Sequence, residues 1–312
     1  MNLCAASQMD IRDRFLGCLL GLACGDAVGT TVEFRRRGTF PAVTDMTGGG
    51  PFRLRPGEWT DDTSMALCLA SSLVELGRFD AADQMGRYCR WHREGYWSSN
   101  GRCFDIGNTV ADALHRFRET GEAFSGSTDP RAAGNGCIMR LAPVPMFFFP
   151  DRELAIDMSG ESSRTTHATA ECLDSSRLLA AILCRAFAGA TKDEVLLAHG
   201  LDSIPSPKVR AIAAGEYRTK SESDIRGTGY VVDCLEAALW CFDRTNSFEQ
   251  TVLAAVNLGD DADTTGAVCG QVAGAFYGAS GIPSPWLERL AMQTEIRELA
   301  EKLYEAKARP AD

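Results

Sequence analysis

Two short acidic runs stand out because each opens a helix-forming stretch. Gly57-Glu58-Trp59-Thr60-Asp61-Asp62-Thr63 leads straight into Ser64-Met65-Ala66-Leu67-Cys68-Leu69-Ala70. Far downstream, Gly259-Asp260-Asp261-Ala262-Asp263-Thr264-Thr265 leads into Gly266-Ala267-Val268. Either run alone reads as an N-cap, in which Thr or Asp oxygens accept free amide hydrogens and carboxylates meet the positive end of the helix dipole. Together they supply Asp61, Asp62, Asp260, Asp261 and Asp263 plus several hydroxyls, more than two caps require. Like charges brought together repel unless a cation separates them, so a site built from both runs demands a metal. Oxygen ligands suit Mg²⁺ or Mn²⁺, and no Cys/His set stands nearby to favour zinc. Two ions about 3.5–4 Å apart could share a bridging water or substrate hydroxyls.

Further polar clusters occur where a helical protein has no structural need of them. Gly25-Asp26-Ala27-Val28-Gly29 runs on to Glu33-Phe34, and Phe104-Asp105-Ile106-Gly107-Asn108-Thr109 starts a helix. Gly134-Asn135-Gly136-Cys137-Ile138-Met139-Arg140 and Arg164-Thr165-Thr166-His167 each precede another. The exposed amides of Gly134-Asn135-Gly136 suit a phosphate or an adenine edge. Taken singly, Asp105 reads equally as a cap or a base, and His167 equally as a cap or a ligand contact.

These clusters must be positioned by helices. Apolar residues recur at helical spacing in Met65 to Leu76, Met85 to Trp91, Ala168 to Phe187, Val231 to Phe242 and Phe248 to Val256, with little period-two alternation. The fold class expected is all-α. Gly17, Gly21, Gly25 and Gly29 fall every fourth residue near one end of the chain, and Gly266, Gly270, Gly274 and Gly278 repeat the spacing near the other. Each set forms one stripe on a helix and lets a neighbouring helix approach closely, at about 1 kcal/mol per glycine relative to alanine. Such faces would bring the Asp26/Glu33 region to the Asp261/Asp263 cluster. Long connections rich in Gly, Pro and Ser are expected at Arg35 to Gly57, Glu94 to Cys103, Gly121 to Gly136 and Gly200 to Gly229.

The 312 residues, 45% hydrophobic and 24% charged, exclude disorder and a coiled coil. No linker marks a boundary, so a single domain spanning 1–312, with its core at about 11–305, is expected. The net charge of −10 argues against a nucleic-acid surface. The 12 cysteines are scattered without a CxxC pair and read as small core residues in a reducing, cytoplasmic setting. Arg12 and Arg14 before the apolar run Phe15 to Cys24 imitate a signal peptide, but Asp10 and Asp13 spoil its charged region. The run is too short to span a bilayer, so a buried helix and no membrane partner are expected.

The ordered set of Gly25-Asp26-Ala27-Val28-Gly29 with Glu33, Trp59-Thr60-Asp61-Asp62-Thr63, Asp105-Ile106-Gly107-Asn108-Thr109, Gly134-Asn135-Gly136 with Met139-Arg140, Thr166-His167 and Asp261-Ala262-Asp263-Thr264-Thr265-Gly266 resembles the ADP-ribosylglycohydrolase family. The branch it most resembles is that of the dinitrogenase-reductase-activating glycohydrolases, which remove ADP-ribose from arginine. The resemblance runs in order from about Asp13 to Leu290. It implies a compact orthogonal helical bundle and two Mg²⁺ or Mn²⁺ ions held by Thr60, Asp61, Asp62, Asp261, Asp263 and Thr264. Asp260 stands where the family has a glycine and is not counted as a ligand. Asp105 corresponds to the family's catalytic acid/base and Glu33 to a glutamate near the metals. Asn108, Asn135, Gly136, His167 and Tyr230 match substrate-contact positions. The implied reaction is hydrolysis of the N-glycosidic bond of ADP-ribosylarginine in a modified protein, by a monomer. The alternatives are hydrolysis of another linkage, to serine or in a small ADP-ribosyl metabolite, and a non-catalytic relative that binds ADP-ribose or serves a structural role.

Overall fold

The computed structural model describes residues 10–197 and 204–306, and helices carry almost all of its regular structure. In chain order they are α1 (Ile11–Gly29), α2 (Asp61–Leu76), α3 (Ala81–Glu94), α4 (Asn108–Thr120), α5 (Pro143–Phe148), α6 (Arg152–Arg164) and α7 (Ala170–Phe187). There follow α8 (Lys192–Leu196), α9 (Pro207–Ala213), α10 (Val231–Arg244), α11 (Phe248–Val256), α12 (Ala262–Tyr277), α13 (Ser284–Arg289) and α14 (Gln293–Ala306). Among the described residues, β structure is confined to isolated bridges, including Arg36 with Gly259 and Gly134 with Tyr230.

The glycine stripes meet. Helices α1 and α12 run antiparallel in register, Gly17 against Gly274, Gly21 against Gly270, Gly25 against Gly266 and Gly29 against Ala262. A methyl group on any of these glycines would lie under 3.0 Å from the backbone of the partner helix. Main chain therefore packs on main chain, which explains glycines that cost helix propensity. Gly278, read as the last of its stripe, lies just beyond α12 as its C-cap at φ 74°, yet still closes against Gly17.

The remaining helices bury this pair. Helices α7, α10 and α11 pack on α12, while α14 packs on α1 and α2. Phe15, Trp59, Phe187, Phe242, Phe248 and Trp286 fill the main core, and Met65, Met85, Tyr88, Trp91 and Leu114 join α2, α3 and α4 in a smaller one. The α1 stretch, continued to Val32, is long and apolar enough to cross a membrane, longer than the apolar run implied. However, 94% of that window is buried inside the molecule, as a core helix would be. The described cysteines are all free, and all but Cys103 are buried; Cys4 lies outside the described residues.

The short helices α8, α9 and α13 escaped the sequence reading, and so did two longer ones, α6 and α14, for different reasons. Helix α6 is rich in Ser and Gly and turns only small residues inward (Ala155, Ser159, Gly160, Ser162, Ser163), so it carries little periodicity. Helix α14 does carry it, at Ile296, Leu299, Ala300 and Leu303, within an otherwise polar segment. The connection at Gly200 to Gly229 holds α9 and two 3₁₀ turns, Glu216–Thr219 and Glu222–Asp224; its first residues, 200–203, lie outside the described ones.

Candidate active site

The two acidic runs do not cap their own helices. No side chain of Thr60 or Asp261 bonds the first turn that follows it, whereas Asp80, Asp151, Thr169 and Ser247 cap α3, α6, α7 and α11 in the ordinary way. The start of α2 is capped instead from α1. The Asp26 carboxylate accepts from Thr60 N (2.9 Å), Thr60 Oγ1 (2.9 Å), Thr63 N (3.1 Å) and Thr63 Oγ1 (2.6 Å). Relieved of capping, the runs face each other. Thr60 Oγ1 lies 3.3 Å from Asp263 Oδ2, and Thr264 Oγ1 lies 3.4 Å from Asp62 Oδ1.

Asp26 is the residue that sequence reasoning missed, although an aspartate within an apolar helix was a visible signal. We expect Asp26→Ala to lower the free energy of unfolding by about 3 kcal/mol in a urea titration, because several buried donors lose their acceptor together. A loss below about 1 kcal/mol would contradict that role.

Two further carboxylates close the site. Glu33 Oε, Asp105 Oδ and Asp263 Oδ atoms lie within 4.8 Å of one another. Both loops that deliver them are held in unusual backbone. Asp105 adopts φ 61°, and Phe34 (φ 61°) and Asp260 (φ 57°) pair through Phe34 N to Asp260 O at 2.7 Å and Asp260 N to Arg35 O at 2.8 Å. Left-handed backbone suits glycine and strains other residues, and its concentration around one pocket is typical of functional sites. Asp260, the residue in place of a family glycine, is one of these.

Burial and mutual repulsion set the electrostatics. Desolvation is the first cause at every carboxylate here. It raises Asp61, Asp62, Asp261 and Asp263 above the usual range, Asp105 to about 7 and Glu33 to about 10; neighbouring carboxylates add to each rise, and at Asp105 and Asp261 hydrogen bonds partly oppose it. Asp26 rises only to about 6 because its hydrogen bonds favour the charged form. Glu33 Oε2, Asp62 Oδ2 and Asp263 Oδ1 are buried without a hydrogen-bond partner. Orphaned carboxylate oxygens converging from three segments make the donor set that fits a divalent cation.

These groups line a cavity of about 880 Å³. Its wall includes Glu33, Asp61, Asp62, Asp105, Asn108, Asn135, Gly136, His167, Asp261, Asp263 and Thr264. Thr60 stands behind the wall, bonded to Asp26. Tyr230 is not on it: its hydroxyl donates to Glu171 (2.6 Å) and accepts from Lys208 (2.7 Å), and its backbone bridges to Gly134. Asn135, expected to touch substrate, donates through Nδ2 to Asp261 Oδ2 at 2.7 Å and thus also steadies an acidic ligand. Gly136 must be glycine, since a methyl there would lie 2.7 Å from His167 Cε1. Phe34, Thr228 and Gly229 complete the wall without having been singled out for it. Phe34 is 67% exposed at the mouth, edge to face with Phe52, whose ring packs on Phe104.

Comparison with known proteins identifies the family. The ADP-ribosylglycohydrolase family profile matches residues 7–312. The chain is 46% identical over 302 residues to ADP-ribosylarginine hydrolase Tri1 of Serratia proteamaculans, covering 96% of this chain and 81% of that protein. It is 48% identical to the protein of that name in Pseudomonas putida, with 97% and 81% covered. Identity to the ADP-ribosyl-[dinitrogen reductase] glycohydrolase of Rhodospirillum rubrum, from the branch anticipated above, is 33%, with 91% and 92% covered. A solved structure described as an ADP-ribosylglycohydrolase-related protein complex superimposes with a TM-score of 0.85 at 43% identity, covering 95% of this chain and 99% of that one. The chain belongs to the ADP-ribosylglycohydrolase family.

Proposed function

We propose that this protein hydrolyses the N-glycosidic bond between ADP-ribose and an arginine side chain of a modified protein, with two divalent cations, Mg²⁺ or Mn²⁺, held by Thr60, Asp61, Asp62, Asp261, Asp263 and Thr264. The observation that carries the reading is the meeting, around orphaned carboxylate oxygens, of two acidic helix starts whose own N-cap side chains do not cap them. Bound cations would neutralise that charge and anchor the hydroxyls of the ribose next to the scissile bond.

The chain's own residues supply the rest. Asp105, raised to about 7, is protonated in about half of the molecules at neutral pH and faces the same space as Glu33 and Asp263. It passes that proton to the guanidine nitrogen as the bond from nitrogen to the anomeric carbon breaks, so arginine departs as its ordinary guanidinium. Water adds to the anomeric carbon, and its surplus proton returns to the carboxylate. Glu33 orients that water. Asn108, Asn135, Gly136 and His167, on the wall of the same cavity, bind the ADP-ribosyl half. An exposed Phe34 ring beside Glu33 favours a guanidinium on the leaving side, which supports the arginine linkage over serine.

The direct test is release of ADP-ribose from an ADP-ribosylarginine peptide with Mg²⁺ or Mn²⁺, with and without a chelator. Activity that survives chelation contradicts the metal site, and cleavage of a serine-linked peptide alone contradicts the linkage.

A thermal measurement checks the same site independently of turnover. An acid whose folded pKa is raised contributes stability that is complete below its unfolded value, near 4, and is lost as pH rises through the folded value. With Asp26 at about 6 and Asp105 at about 7, the metal-free protein loses stability between about pH 4 and pH 7. Tm in chelator should therefore fall over that window. Mn²⁺ at about a hundredfold excess over its Kd should raise Tm by about 4 °C at pH 7.5 and by less at pH 5. A cation effect that is equal at both pH values would count against the cluster.

A further inference from the structure

Arg140 is 1% exposed, yet among the described residues no carboxylate pairs with it. Its guanidinium lies 4.8 Å from the ring centre of Tyr88 and 3.8 Å from Met65 Sδ, and its Nε is buried without a partner. A cation is costly in such a place unless it serves something. Its strongest contact is Nη2 to Thr166 Oγ1 at 2.6 Å, and that oxygen is in turn 2.8 Å from His167 Nδ1.

The donor inventory decides the direction of this chain. A guanidinium has no acceptor, so Thr166 Oγ1 accepts from Arg140, and among the described residues the hydroxyl hydrogen has no acceptor in reach other than His167 Nδ1. A neutral imidazole that accepts at Nδ1 carries its own hydrogen at Nε2. Burial, and then Arg140, push the ring's pKa down to about 3, so it stays neutral. The histidine backbone is held as well, His167 N donating to Ser163 O at 2.7 Å and Ser163 Oγ to His167 O at 2.8 Å. Nε2 has no partner among the described residues and lies at the cavity wall between Gly134 and Gly136.

We infer that Arg140 and Thr166 are positioning residues that fix His167 as the Nε2–H tautomer, making it a permanent hydrogen-bond donor to an acceptor atom of the ADP-ribosyl half of the substrate. The inference rests on the proposed function for the identity of that ligand. The acceptor is a diphosphate oxygen or an adenine ring nitrogen. A ring free to carry its hydrogen on Nδ1 would turn a lone pair toward either, which is repulsive.

Thr166→Val keeps the shape and removes the hydroxyl. We expect long-range ¹H–¹⁵N spectra to report His167 as Nε2–H in the wild type and as a tautomer mixture in Thr166→Val. The Kd for ADP-ribose and the KM for the ADP-ribosylarginine peptide should rise about tenfold, with kcat within about twofold. Thr166→Ser should restore both. Arg140→Met, which removes the buried charge without leaving a hole, should repeat the tautomer loss and provides a second readout if the valine variant fails to fold. Titration with ADP and with adenosine separates the acceptors: the tenfold loss appears with ADP but not with adenosine if phosphate accepts, and with both if the base does. A wild-type ring carrying its hydrogen on Nδ1, or an unchanged Kd in Thr166→Val, overturns the inference while leaving the hydrolase reading intact. A wild type that binds no ADP-ribose overturns both.

Discussion

Asp263→Asn is expected to lower kcat/KM on an ADP-ribosylarginine peptide by about a thousandfold or more while leaving the metal-free protein more stable than the wild type. The two effects have one cause. Asp263 faces Glu33 and Asp105 within 4.8 Å and keeps one buried oxygen with no partner, and Thr60 reaches its other oxygen only through a long hydrogen bond of 3.3 Å. Its charge therefore costs stability when no cation is bound. Burial and then the charges of Glu33, Asp261 and Asp62 hold its pKa well above the usual carboxylate range. An amide of the same shape removes the repulsion, and one pKa unit of relief is worth about 1.4 kcal/mol. The same change replaces an anionic ligand by a neutral one, weakening cation binding and the acid/base geometry around Asp105. Steady-state kinetics at saturating Mn²⁺ and urea unfolding in chelator check both halves. The contrast with Asp26 sharpens the test: Asp26 is fully hydrogen-bonded, so its removal destabilises, whereas removal of Asp263 stabilises. If Asp263→Asn destabilises the metal-free protein as Asp26→Ala does, the acidic cluster is ordinary capping and the metal reading fails.

Much of this site was legible because its chemistry is local in sequence. Thr60-Asp61-Asp62 and Asp261-Ala262-Asp263-Thr264 lie at helix starts that periodicity locates, and a count of carboxylates against caps already exceeded structural need. What stayed hidden depends on which side chain meets which across the fold. Asp26 looked like part of a glycine motif, and only the position of α1 beside α2 makes it the cap of another helix. Asn135 looked like a substrate contact, and only the approach of the 229–261 segment shows its amide on Asp261. Tyr230 matched a family position but spends its hydroxyl on Glu171 and Lys208, outside the cavity wall. The resemblance supplied its number, and local packing decided where it points. Phe34 and Asp260 owe their roles to a left-handed backbone that residue types other than glycine do not announce.

Gly270→Ala should be among the most damaging single-methyl changes in the protein, and Gly86→Ala the opposite. Both glycines lie inside helices, so helix propensity alone makes each substitution favourable by about 1 kcal/mol. At Gly86, in α3, a methyl meets nothing within 4 Å, so that gain should appear as increased stability. At Gly270 the methyl would run into the carbonyl of Gly21, with the Gly21 carbon at 2.7 Å, and both obstacles are backbone that cannot rotate away. Helices α1 and α12 must then separate, and the overpacking cost, commonly about 1–3 kcal/mol, is at its upper end or beyond it because two whole helices move. The separation also reaches the site. Asp26 and Glu33 follow the line of α1, and Asp261, Asp263 and Thr264 open α12, so the stripe sets the distance between the two halves of the acidic cluster. Gly270→Ala is therefore expected to lose about 3 kcal/mol or more in urea unfolding and, in whatever folds, to bind Mn²⁺ at least tenfold more weakly although it touches no ligand. A Gly270→Ala protein with wild-type stability and cation affinity would mean that the close approach of the stripes is not what holds the site together.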